Sequence, residues 1–222
     1  MNNNLQNSNE HTAANKSRTG ILLINLGTPD APRTPEVRAY LRALLSSDRV
    51  LDINPVGRWL LLNLIILPFR PRKSAKAYRE IWMEDGSPLL VYSQKLKDAL
   101  IEHFSEENIP VELGMQCGNP SIKSAVERLR KEECDRIIVL PMYPQYSSST
   151  YGSAVEDLYK EILHDWNMPQ LQIIPPFFSD SRFIDAWAKV GSPFIENKPD
   201  HVLFSFHSLP IRHLEKSDPS GN

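Results

Sequence analysis

Hydrophobic positions follow two rhythms along this chain. Gly20–Leu26 (GILLINL), Pro110–Met115 and Arg136–Leu140 (RIIVL) are short apolar runs. Their length suits buried strands better than helices. Between them, apolar residues recur at helical spacing. Pro35–Leu45 places Val37, Tyr40, Leu41, Leu44 and Leu45 on one face, and Leu89–Phe104 is amphipathic through Leu89, Leu96, Leu100 and Phe104. Ser74–Met83, Ile122–Lys131, Tyr151–His164 and Phe183–Val190 read as further helices, the last with Ile184, Trp187 and Ala188 inward. Strand, helix and strand at this spacing predict right-handed crossovers and a parallel α/β sheet. The short Val50–Ile53 piece is expected to join that sheet, and Leu171–Ile174 and Val202–Phe206 to begin a second one. Two strands and a helix rarely bury enough to stand alone. The pattern therefore predicts a first α/β domain over residues 20–166 and an incomplete second domain over 167–222. Residues 1–19 are polar and read as a disordered tail rather than a secretory signal. No further helix or strand is expected after Pro210.

Composition narrows the function classes. With 222 residues, 41% hydrophobic and 23% charged, the chain suits a soluble globular protein. A net charge of −2 supplies no global field for nucleic acid or anionic lipid. Cys117 and Cys134 form no CxxC pair, so neither a zinc motif nor a disulfide framework is indicated. The expected compartment is the cytoplasm. Trp59–Leu67 (WLLLNLIIL) is far shorter than the about 20 residues of a spanning helix.

Candidate chemistry gathers where strands end, because ligands of open α/β sheets sit beyond the carboxyl ends of the strands. After the first strand comes Gly27-Thr28-Pro29-Asp30, with Thr34 as expected N-cap and Pro35 at the first helical position. The turn has one glycine rather than a GxGxxG or Walker pattern, which leaves nucleotide binding as a weak alternative. After Arg136–Leu140 comes Pro141–Thr150, PMYPQYSSST, whose two tyrosines and hydroxyls can stack on a planar ring and bond its polar edge. The helix that follows is expected to offer free N–H groups to an anion. A capping turn with core tyrosines is the plain alternative. Pro55–Leu67 is apolar on nearly every side and is expected to end at Pro68-Phe69-Arg70-Pro71, giving an apolar lip rimmed by Arg70, Arg72 and Lys73. That suits a flat apolar ligand carrying carboxylates, shallow membrane contact, or simply a core helix. His207 closes the Val202–Phe206 run, where an imidazole can bind a metal, move a proton or serve as a structural hydrogen-bonding group.

Three motifs occur together in order: LINLGTP (Leu23–Pro29), LPMYPQYSSST (Leu140–Thr150) and SFHSLP (Ser205–Pro210). With AYREIWMEDGSPLL (Ala77–Leu90) and Cys117–Ser121, the set resembles the ferrochelatases. The WMEDGSPL form is similar to the Gram-negative bacterial type, which uses protoporphyrin. The resemblance implies two similar Rossmann-like domains with parallel sheets and a porphyrin cleft between them, the second domain truncated here. It implies insertion of Fe²⁺ into protoporphyrin IX to form haem, with no cofactor beyond the substrate iron. It implies His207 as the catalytic and metal-binding residue, Tyr143, Gln145, Tyr146 and Ser147 as porphyrin-binding residues, and Trp59–Phe69 as the apolar lip. Peripheral membrane contact through that lip is expected, and no nucleic-acid partner. The glutamate that faces the histidine in the family is expected beyond the end of this chain, so a non-catalytic porphyrin- or haem-binding fragment is the alternative. A cobalt chelatase shares the enzyme class, but the YPQYS and HSLP pair argues against it.

Overall fold

The computed structural model describes residues 17–218, 220 and 221. The tail expected at 1–19 lies mostly outside the described residues. Its last part does not trail free: the Ser17 hydroxyl and the Arg18 N–H both donate to the Asp135 carboxylate at 2.8 Å. Thr19 opens strand β1 (Thr19–Gly27).

A four-stranded, all-parallel sheet forms the centre, in the order β2 (Val111–Cys117), β1, β3 (Arg136–Pro141), β4 (Gln170–Ile173). The α/β class read from the sequence is therefore observed. Alternation along the strands divides the core between the two sheet faces. Leu22, Ile24, Ile137 and Val139 pack under α5 (Ile122–Lys131) and α6 (Ser153–Ile162). Ile21, Leu23, Val111, Leu113 and Met115 face the other way, toward Leu90 and Leu100 of α4 (Pro88–His103). A third cluster joins α1 (Thr34–Ser46) to the long helical run that follows it, through Val37, Tyr40, Leu41, Leu62, Leu67 and Ala75.

Several sequence expectations need correction. Leu171–Ile174 does not begin a second sheet. Its residues fall largely in β4, which pairs with β3, so the first sheet extends past residue 166. Val50–Ile53 is turn, and Val202–Phe206 forms no strand. A strand requires a neighbour to satisfy its backbone groups, and no described strand borders 202–206. The helix expected to stop at Pro68 does not stop. A π-helical stretch at Leu61–Ile66 links α2 (Pro55–Leu60) to α3 (Leu67–Ile81), which contains Pro71. The wider turn hands the Leu67 N–H to the Leu62 carbonyl just before Pro68, which has no N–H to give. Arg33, not Thr34, occupies the N-cap of α1. Finally, α7 (Ser181–Glu196) has no buried residue, Ile184 and Trp187 are exposed, and a helix α8 (Ile211–Ser217) follows Pro210.

Candidate functional site

Parallel strands bring the carboxyl ends of β1, β2 and β3 to one edge of the sheet. Two glycines let the β1 and β2 exits touch. Gly27 has φ +96°, and a Cβ there would lie 1.8 Å from the Cys117 carbonyl oxygen; Gly118 has φ +102°, and its Cβ would meet the Thr28 carbonyl at 2.4 Å. Only glycine tolerates both the backbone and the approach.

Beyond this edge lies a cleft of about 520 Å³, lined by residues that include Leu26, Gln116, Cys117, Ser153, Glu156 and Asp157. Part of its lining belongs to a hydrogen-bonded chain. The Tyr143 hydroxyl donates to Gln116 Oε1 at 2.6 Å. Gln116 Nε2 then donates to Ser153 Oγ at 2.9 Å and Asp157 Oδ2 at 3.1 Å. Gln116 projects from the β2 face opposite Met115, and α6 supplies Ser153 and Asp157. Burial, with Cys117, Tyr40 and Asp157 nearby, raises the Tyr143 hydroxyl above the usual phenol range, so it stays a proton donor. Burial also pushes the Cys117 thiol up to about 11, which leaves it neutral and unreactive near pH 7. Beside the cleft, Arg49 bonds the Glu156 carboxylate and reaches Ser148 Oγ at 2.9 Å. Arg49 holds the Glu156 carboxyl below its ordinary range, with Lys160 adding to the effect.

The remaining residues of the tyrosine-rich loop behave differently from Tyr143. Gln145 and Tyr146 are exposed, and the Tyr146 ring lies 5.7 Å from that of Tyr151. Ser147 caps a π-helical stretch at Ser148–Gly152, accepting from the Ser149 N–H at 3.3 Å. The expected anion-facing N–H groups are not free. Thr150 and Gly152 donate to the Ser147 carbonyl, and Ser153 to Ser148 and Thr150.

His207 is exposed. Its Nδ1 lies 2.6 Å from the Ser208 carbonyl oxygen. A carbonyl only accepts, so Nδ1 carries the proton, and in the neutral ring Nε2 then keeps the lone pair. Tyr146 and Ser147 share a cavity of about 300 Å³ with Leu209 and His213, on either side of Pro210. The loop thus borders one cavity with residues that follow His207; His207 itself does not line it, and Tyr143 turns away into the Gln116 chain. Gln116, Ser153, Asp157 and Arg49 were not singled out in the sequence. The available signal was Gln116, a polar residue near the carboxyl end of a largely apolar strand. Among the described residues no cluster of three or more His, Cys, Asp or Glu side chains is placed to hold a metal.

A family model for ferrochelatase matches residues 18–220. The chain belongs to the ferrochelatase family. It is 45% identical over 204 residues to a ferrochelatase of Coxiella burnetii, covering 91% of this chain and 56% of that protein. It is 43% identical over 216 residues to one from a Marinomonas species, covering 92% of this chain and 64% of the relative. With a ferrochelatase of Legionella pneumophila the identity is 42% over 200 residues, covering 90% and 59%. The chain therefore spans 56–64% of the length of these relatives.

Along the helical run Pro55–Ile81, Val56, Trp59, Leu60, Leu64, Ile65 and Phe69 are exposed. They form an apolar surface rather than a core helix, with Leu62 and Leu67 as the inward positions. No described helix is long and apolar enough to cross a membrane.

Proposed function

We propose that this chain carries one wall of a ferrochelatase site, at which Fe²⁺ replaces two pyrrole protons of protoporphyrin IX to give haem. The observation that carries the reading is the His207 imidazole of SFHSLP, whose Nδ1–H is engaged by the Ser208 carbonyl and whose Nε2 is free. A neutral imidazole in that state can accept a pyrrole proton or hand on borderline ferrous iron. Anchoring of the other ring nitrogen is how metal-binding histidines are generally oriented. Tyr146, Gln145 and Ser147 offer an exposed ring and polar groups to the macrocycle's edge. Tyr143 acts from behind them, holding the floor of the loop through Gln116. The exposed Trp59–Phe69 surface suits the apolar face of the ring, and Arg70, Arg72 and Lys73 suit its propionates. The same surface supports shallow contact with a membrane from the cytoplasmic compartment.

The test is anaerobic metal insertion by the chain and its His207→Ala variant, with porphyrin fluorescence reporting binding in the same samples. The expected result is insertion by the parent, and loss of insertion with retained protoporphyrin binding in the variant. Turnover by His207→Ala overturns the assignment of His207. Protoporphyrin binding without insertion by the parent favours a porphyrin-binding role for this chain.

A further inference from the structure

Helix α8 begins immediately after SFHSLP, yet it docks on the turn that follows α1. Lys216 Nζ donates to both carboxylate oxygens of Asp52, at 2.8 and 2.7 Å. Arg212 Nε lies 3.5 Å from Asp52 Oδ2. Arg212 and Lys216 are four residues apart and so share one face of the helix. Between them sits His213, the buried residue of α8, only 8% exposed. Neither of its ring nitrogens has a hydrogen-bond partner among the described residues. The imidazole therefore contributes packing without a directional bond, and the direction of docking falls to the two cations on Asp52. The Lys216 ammonium holds the Asp52 carboxyl below its usual range, so the bridge is charged at neutral pH.

Two further contacts connect this bridge to the proposed site. The His213 N–H donates to the Pro210 carbonyl at 2.9 Å, tying the first turn of α8 to the end of SFHSLP. Leu209 and His213 line the cavity they share with Tyr146 and Ser147. Asp52 itself borders a second cavity, of about 560 Å³, with Arg49, Tyr146, Glu156 and His213. Whatever fixes α8 on Asp52 also fixes where the His207–Pro210 segment leaves the body of the protein.

We propose that Asp52 is a positioning residue: by bridging Arg212 and Lys216 it sets α8, and with it the His207–Pro210 segment, against the Tyr146–Ser147 segment. The consequence for porphyrin rests on the function proposed above; the docking stands on its own geometry. Each cation is at least half exposed, so the bridge selects a position rather than holding the fold.

The experiment is amide hydrogen exchange on the 222-residue chain, with protoporphyrin binding measured by fluorescence on the same preparations. Asp52→Asn removes the charge, and Asp52→Lys repels both cations. The expected result is exchange about threefold to tenfold faster over residues 209–217, on the scale of one or two exposed ion pairs. Amides of β1, β2 and β3 stay protected, which shows that the variant is folded. Inverting the partners as well, in Asp52→Lys with Arg212→Glu and Lys216→Glu, restores protection. Protoporphyrin affinity falls and recovers in step. Unchanged exchange over 209–217 in Asp52→Lys, or failure of the inverted variant to restore it, overturns the inference. Loosened α8 with unchanged protoporphyrin affinity overturns its role at the site. If the parent chain binds no protoporphyrin, the proposed function fails while the exchange comparison still decides the docking.

Discussion

Residues 19–174 and residues 175–218 both carry apolar patterns, and these meet opposite fates. In the first region the pattern is satisfied. Leu22, Leu23, Ile24, Leu113, Ile137 and Val139 are sealed between helices on both sheet faces. In the second, α7 presents Ile184, Trp187, Val190 and Phe194 to solvent, and the run before His207 leaves Leu203 91% and Phe204 83% exposed. Hydrophobic periodicity says which face is to be covered. It does not supply the cover. The second region is attached through point contacts instead, such as the Phe177 N–H on the Pro144 carbonyl and Asp52 on α8.

Core truncation should separate the two regions most strongly. Leu23→Ala or Leu113→Ala is expected to cost about 2–5 kcal/mol in urea denaturation, through lost transfer and a residual cavity. Trp187→Ala, removing a larger side chain from α7, should stay within about 0.5 kcal/mol. A Trp187 effect equal to that of Leu23 would show that α7 is packed in solution. Next in size is Gly27→Ala. Backbone strain alone predicts a loss of about 1–3 kcal/mol, and the contact with the Cys117 carbonyl adds to it. Tyr143→Phe removes the hydrogen bond to Gln116 and should cost about 0.5–1.5 kcal/mol, leaving α7 and α8 exchange unaltered. The smallest effect is on pH dependence. The folded-state pKa of Glu156 is depressed from its ordinary 4.5, first by the Arg49 hydrogen bond. That contribution is present above 4.5 and is lost as pH falls through the lower folded value. Glu156→Gln should flatten this part of an acid titration followed by circular dichroism. An unchanged acid limb would show that the Arg49–Glu156 pair does not contribute to acid stability.

How much of this could be read from sequence follows the same division. Ile122–Lys131 matches α5 at both ends, because Ser121 caps its start, accepting from the Ser124 N–H at 3.2 Å. Strands with neighbours were legible from their alternation. The Leu171–Ile174 piece was recognised as strand but assigned to the wrong sheet, since its run of four residues does not say which edge it joins. Pro68 and Pro71 read as a helix end because the π-helical stretch that accommodates them has no sequence signal of its own. Helix α8 was missed because its apolar content is slight and its docking is ionic, to a residue 164 positions away. At the site, Tyr143 and Tyr146 look equivalent in YPQYS, yet one is locked inward by Gln116 and the other is exposed. Motif similarity located both and could not separate their directions.

For His207 to take a proton or a metal, its imidazole must keep Nε2 as a lone pair. Long-range ¹H–¹⁵N correlation of the histidine side chains, recorded above the imidazole titration range, reads the tautomer directly. The prediction is a His207 ring protonated at Nδ1, with an acceptor-type shift at Nε2 that changes when Zn²⁺ is added as a redox-inert stand-in for ferrous iron. A ring protonated at Nε2 and indifferent to Zn²⁺ would contradict it.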